Sequence, residues 1–172
     1  YSQFKTMKSI TFYSYKGGVG RSLALSNMAI RLSELNKSVC VLDFDLEASG
    51  LQYKFGKYNK SRNIESGIVD YISNFKNQGD SSQSIKDYSI ELIPHNKYAT
   101  NIQYIPAGNI SDTSYWHKLS LINWSSLFYK EDGLGVRFFL DLKEKIKKEL
   151  NPDFLFIDSR TGITDIAGIT LR

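Results

Sequence analysis

The 172 residues, 41% hydrophobic and 23% charged with a net charge of +4, suit one globular domain with a sizeable core. The lysines are scattered among 18 acidic residues, so the basic balance permits an acidic partner without pointing to DNA or membrane. A single cysteine, Cys40, excludes an internal disulfide framework or a cluster of thiol ligands, and its apolar surroundings predict a buried structural thiol. No apolar run reaches the roughly 18 residues of a membrane span and no signal peptide precedes the first strand, which predicts a cytoplasmic location. The chain begins at Tyr1, with Met7 a candidate native start, and is expected to be part of a larger protein.

Residues 7–15 read as a short buried strand. Ser14-Tyr-Lys-Gly-Gly-Val-Gly-Arg-Ser22 follows it, and an amphipathic helix from Leu23 to Leu35 comes next. The helix carries Leu25, Met28, Ala29, Leu32 and Leu35 on its predicted apolar side, with Arg31 and Glu34 opposite and Asn36 as its stop. Strand, glycine-rich turn and helix together form a setting in which backbone N–H groups cradle phosphates. The spacing is that of G-x-x-x-x-G-K-[ST], with Tyr15 in place of the first glycine and Arg21 in place of the lysine, and with an added Lys16.

Ser38 to Phe44 is a continuous apolar run, expected of a parallel strand covered on both faces. It ends in Asp43-Phe44-Asp45, at the strand end where open α/β sheets bind ligands. Residues 53–62 are polar, basic and aromatic and read as a surface excursion. Ser66 to Phe75 predicts a short helix with Ile68, Val69, Tyr71 and Ile72 inward, and 76–84 a loop. A turn at 84–87 leads to a strand over Ser89–Ile93, and Asn101 to Pro106 predicts another strand. The aromatic segment 112–130, with Trp116, Trp124, Phe128 and Tyr129, is either a helix packed on the sheet or a partner-binding surface.

Val136 to Leu150 predicts a helix with Phe139, Leu140, Ile146 and Leu150 as its stripe, and with Asp141–Lys145 and Glu144–Lys148 as i,i+4 pairs. Its lysine-rich side reads as solvated rather than as a nucleic-acid patch. Asn151-Pro152 stops it, and Phe154 to Ile157 forms a buried strand ending in Asp158. The alternation predicts an α/β fold, a mostly parallel sheet with helices on both faces.

Three strand ends then meet at one edge: the loop at 15–22, Asp43/Asp45, and Asp158. Carboxylates beside a phosphate chain need a hard cation between them, and Mg²⁺ is expected, held by few protein ligands and several waters. Ser22 would give it a hydroxyl, Asp158 would hold one of its waters, and Asp43 would steady its outer shell. Asp45 is left to orient an attacking water. Each of these aspartates also has a plain alternative as a capping residue.

Lys16-Gly17-Gly18-Val19-Gly20-Arg21-Ser22 resembles the deviant Walker A motif, KGGxGK[ST], of the ParA/MinD-type P-loop ATPases. Asp43-Phe44-Asp45 resembles that family's D-x-D, and Phe156-Ile157-Asp158-Ser159 with Gly162 resembles its Walker B and switch II segment. Gly67 to Ile72 and Ile105-Pro106-Ala107-Gly108 fall where members carry a short helix and a strand ending in Pro-Ala. The resemblance implies that residues 1–172 are the N-terminal part of one nucleotide-binding domain, cut after switch II. It also implies ATP and Mg²⁺ as cofactors, a nucleotide-dependent homodimer, and slow hydrolysis acting as a switch on an effector attached beyond Arg172 or bound to it.

By the resemblance Lys16 reaches the phosphates of the partner subunit's nucleotide, Arg21 replaces the P-loop lysine, and Gly162 senses the γ-phosphate. Two departures stand out: Arg21, which is planar and cannot fill a lysine's place unchanged, and Arg160 where the family has proline. Arg21 motivates an alternative, a nucleotide-sensing scaffold with little hydrolysis. A bacterial tyrosine kinase is disfavoured by the Lys16-Gly-Gly signature, and an iron–sulfur reductase by the position of Cys40. The Arg-bearing loop with Asp-Ser-Arg-Thr-Gly resembles a branch fused to bacterial regulatory or defence proteins.

Overall fold

The computed structural model describes residues 6–59, 63–78, 83–124 and 134–159. Its centre is a five-stranded sheet in the order β1-β5-β2-β4-β3, with β1 at Lys8–Phe12, β2 at Val39–Phe44, β3 at Ile90–Leu92, β4 at Ile102–Ile105 and β5 at Phe154–Ser159. β1, β5, β2 and β4 run parallel, and β3 joins antiparallel at one edge. The mostly parallel sheet expected from the alternation of elements is therefore present.

The uninterrupted apolar run of β2 has a simple cause. Its residues alternate between two cores, because side chains along a strand point to opposite faces. Val39 and Val41 join Leu25 and Ala29 of α1 (Arg21–Glu34) and Leu51 and Phe55 of α2 (Leu51–Phe55). Cys40, Leu42 and Phe44 join α3 (Ile68–Gln78), α4 (Thr113–Ser120) and α5 (Leu134–Lys145) on the other side. Burial pushes the Cys40 thiol well up and keeps it inert.

Several local expectations are corrected. β1 is shorter than the expected 7–15 and is not buried: Lys8 to Ile10 are exposed, because β5 is its one neighbour among the described strands. The buried side of α1 is Leu25, Ser26, Ala29 and Ser33, while Met28 and Leu35 face out. Small residues here let the helix lie close to the sheet, and the Ser33 hydroxyl donates to the Thr100 carbonyl. Residues 53–59 are not a mere excursion, since Phe55 and Tyr58 are core residues.

α3 extends to Gln78, past the expected helix end, with Ile68, Val69, Tyr71 and Ile72 inside as expected. In α5, Phe138, Phe139 and Leu142 are buried and Leu140 faces out. The helix then widens into a π-helical turn at Ile146–Leu150 before Asn151, at φ 44°, ends it. Glu144 and Lys148 pair at 3.0 Å; Asp141 accepts from the Tyr71 hydroxyl, and Lys145 donates to the Gln83 carbonyl. In the aromatic segment Tyr115 is buried and Trp124 packs edge-on against Phe44, as a packing role expects, while Trp116 is exposed; Phe128 and Tyr129 lie outside the described residues. Among the described residues no helix is long and apolar enough to cross a membrane.

Candidate functional site

The strand order sets the site. β5 lies between β1 and β2, so Asp158 is in register with Phe12 on one side and Asp43 on the other. The loop after β1 and the turn after β2 thus both close over Asp158.

The loop's backbone requires its glycines. Gly18 and Gly20 sit at φ +74° and +83°, a region that side chains with a Cβ avoid, although open space surrounds both. Gly20 precedes α1 without a side-chain cap, and no acidic residue stands in the first turn. The first N–H groups of α1 are therefore left without the side-chain acceptor a helix usually recruits, a setting suited to an anion. They face a cleft of about 420 Å³ lined by Ser14, Gly17 to Leu23, Asp45, Ala48 and Lys54.

At the cleft's foot Arg21 ties three segments together. Its Nε donates to Asp158 Oδ1 at 2.5 Å, Nη2 pairs with Asp45 Oδ2, and Nη1 donates to Ser14 Oγ at 3.3 Å. The Arg21 side chain is only 8% exposed. Ser22 Oγ donates to the other oxygen of Asp158 at 2.7 Å. Burial raises the Asp158 carboxyl above its usual range, while Ser22 and Arg21 hold it down in part.

Of the residues read from the sequence, Arg21, Ser22, Asp45 and Asp158 are brought together. Asp43 stands beside Asp158 in the sheet register, with its carboxylate held by other groups. It is fully buried, and its carboxylate accepts from Ser49 Oγ at 2.6 Å, Tyr104 OH at 3.1 Å and the Asp45 N–H at 3.3 Å. Burial pushes its pKa up to about 7, against the pull of the Ser49 hydrogen bond and with a further push from Asp158. Lys16 stands exposed on the loop, its carbonyl accepting from Ser14 Oγ at 2.9 Å. Gly162 and Arg160 lie outside the described residues.

Sequence reasoning gave no role to Ser14 within the loop and missed Ser49, Tyr104, Lys54 and Tyr115. The Tyr115 hydroxyl donates to the Leu46 carbonyl at 2.6 Å and so braces the turn that carries Asp45. The available signals were slight: Leu51 and Phe55 at i,i+4 spacing for the helix that bears Lys54, and alternation along β4 for Tyr104.

Among the described residues no group of three or more His, Cys, Asp or Glu side chains would hold a metal by itself. Ser22 Oγ and Asp158 Oδ2 do form an all-oxygen pair beside the loop. Such a donor set fits Mg²⁺ whose remaining ligands are phosphate and water.

A family model of ParA, the NUBPL-type iron-transfer P-loop NTPases, matches residues 5–101. The chain belongs to this P-loop NTPase family. It is similar to the septum site-determining protein MinD of Helicobacter pylori, 31% identical over 109 residues, which are 63% of this chain and 35% of that protein. Among solved structures it resembles MinD of Pyrococcus horikoshii complexed with Mg-ADP, with a TM-score of 0.65, 18% identity, and 96% and 54% of the two chains covered. The kinase domain of the Escherichia coli tyrosine kinase ETK is also similar, with a TM-score of 0.60, 12% identity, and 95% and 51% covered. At these identities the structures share the fold alone. The chain spans about a third of its curated relative and about half of these solved chains.

Proposed function

We propose that this chain is the nucleotide-binding part of an ATP-hydrolysing, Mg²⁺-dependent switch that dimerises around nucleotide and regulates an effector. The observation that carries the reading is the cleft itself. A glycine-rich loop and an uncapped helix start open beside two carboxylates already tied to a cation. The family's P-loop ATPases, and a MinD structure that holds Mg-ADP, support it.

In this reading the N–H groups of residues 17–22 cradle the phosphate chain. Ser22 and Asp158 hold Mg²⁺, which supplies positive charge where negative charge develops on the transferred phosphate. Asp45 accepts a hydrogen bond from the attacking water, and Arg21 keeps that carboxylate fixed against β5. Asp43, held by Ser49 and Tyr104, sets the backbone that leads to Asp45. We place the switch in the cytoplasm, as part of a bacterial regulatory or defence protein.

A second reading has its own observation. Because the Arg21 fork is committed to Asp45, the carboxylate that would orient water is already paired, and the module would then bind nucleotide as a scaffold without turning it over. Phosphate release from Mg-ATP by the full-length protein separates the two. Release that is lost in Asp45→Ala while ATP binding persists supports the switch. ATP binding with no release in the wild type supports the scaffold.

A further inference from the structure

We propose that Lys54, on α2, is a phosphate-binding cation of the loop cleft, acting within the same chain in the place that Arg21 has left by pairing with Asp45 and Asp158. The inference rests on reading the cleft as a nucleotide site.

The first observation is one of charge. A phosphate chain needs positive charge facing the loop, and the residue at the usual lysine position points its guanidinium at two carboxylates instead. One positive charge against two negative ones leaves the cleft floor short of cations. Three of the fork's donors are engaged, on Asp158, Asp45 and Ser14. Arg21 thus builds the floor and cannot turn to a phosphate without baring both carboxylates, whose burial makes that costly.

The second observation is where Lys54 stands. It lines the same cleft as Gly17 to Leu23 and Asp45, from α2 rather than from the loop. Its position is set by its neighbours at i−3 and i+1. Leu51 and Phe55 are buried, and the Phe55 ring packs 5.2 Å from that of Tyr104. α2 is pinned by these two anchors, and Lys54 is left exposed on the cleft side. Its ammonium has no hydrogen bond or ion pair among the described residues. Lys57, one turn on, is different: its ammonium lies 4.9 Å over the Tyr58 ring and does not line the cleft.

A lysine on a flexible stem is a mobile point charge with three donors, able to follow a phosphate chain. Lys54 therefore belongs to the nucleotide's own subunit. Lys16, on the exposed outer side of the loop, is a separate cation with a separate expected role.

The test is calorimetric titration of the full-length protein with Mg-ATP and Mg-ADP, using Lys54→Ala, Lys54→Met, Lys54→Arg and Lys57→Ala. Losing one charge-assisted contact at a partly solvated site is expected to weaken ATP binding about tenfold in both Lys54→Ala and Lys54→Met. Methionine keeps the apolar stem, so an equal loss in that variant excludes a packing effect. Lys54→Arg should stay within about twofold of wild type, since the charge is kept, and Lys57→Ala should bind as wild type does. The log of the affinity should also fall less steeply with salt in the two uncharged variants. Wild-type ATP affinity in Lys54→Ala and Lys54→Met would overturn the role of Lys54 and leave the nucleotide reading standing. A wild-type protein that binds no ATP would overturn both.

Discussion

Arg21 donates its Nε–H to Asp158 Oδ1 at 2.5 Å, across 137 positions of sequence, and the same guanidinium pairs with Asp45. The two carboxylates come from the ends of different strands, and Asp158 is fully buried. Truncating the cation would leave two poorly solvated negative charges facing each other. Arg21→Ala is therefore expected to lower stability by about 3–5 kcal/mol, the usual cost of removing one partner from a buried ion pair. Arg21→Lys should recover only part, because a single ammonium cannot reproduce the fork. Urea unfolding of the nucleotide-free protein measures both. In a double-mutant cycle, Arg21→Ala with Asp45→Asn should be more stable than Arg21→Ala alone. A loss within about 1 kcal/mol for Arg21→Ala would place the pair at surface value.

Asp43 sets a pH dependence of definite sign. Its folded-state pKa stands near 7 against an ordinary 3.8, chiefly because it is buried. Between those values the folded protein holds a proton that the unfolded chain has released. Asp43's contribution to stability is thus fully present below 3.8, falls as pH rises, and levels off above about 7. Asp158 is shifted in the same direction, so the informative quantity is the difference between wild type and Asp43→Asn. The amide oxygen can still accept from Ser49 and Tyr104, and only the long bond from the Asp45 N–H is lost. Urea midpoints across about pH 4 to 8 should therefore fall less in Asp43→Asn than in wild type. Parallel pH profiles would show that Asp43 does not titrate in this window.

The parts of this site that depend on local pattern were legible in the chain, and those that depend on distant partners were not. VCVLDF and FLFID announce buried parallel strands ending in carboxylates, because only strands covered on both faces lack polar alternation. The glycines of the loop announce its backbone. What Arg21 touches was not legible: its partners are 24 and 137 residues away, and a basic residue at that position suggests a phosphate before it suggests an aspartate. Asp43 likewise finds Tyr104 at a separation of 61. On α1 the error was physical in another way. Hydrophobic periodicity favoured Met28 and Leu35, whereas close approach to the sheet selected Ser26 and Ser33.

Gly67 marks where α3 meets the end of β4. A Cβ added there would lie 2.2 Å from the Pro106 oxygen and 2.6 Å from the Gly108 nitrogen, both backbone atoms with little freedom to move. The same joint carries the Asp70 carboxylate, which accepts from the Gly67 N–H at 2.9 Å and pairs with Lys118 at 2.7 Å. Gly67→Ala is expected to destabilise by about 3 kcal/mol, at the upper end for an overpacked core. Gly56→Ala is the control. Its backbone is already α-helical and its nearest added contact is 3.5 Å, so it should be neutral or stabilising by about 0.5 kcal/mol. Thermal unfolding of the two variants checks the contrast, and equal midpoints would mean that the β4–α3 joint yields.

Lys16 is the loop residue whose role is expected to appear only between molecules. It is exposed, and the Ser14 hydroxyl holds its carbonyl rather than its ammonium. Its ammonium makes no hydrogen bond or ion pair among the described residues. Removing the side chain should leave the urea midpoint unchanged, because surface substitutions away from such contacts seldom alter stability. Binding of ATP by the monomer should stay near wild type, since backbone N–H groups and Lys54 supply the contacts within one chain. What Lys16→Ala should lose is ATP-driven dimerisation, if the ammonium completes the site of a second subunit. Light scattering of the full-length protein with and without Mg-ATP reads this directly. Dimerisation that proceeds as in wild type would overturn the cross-subunit role, and a matching loss of monomer affinity would assign Lys16 to its own chain's nucleotide instead.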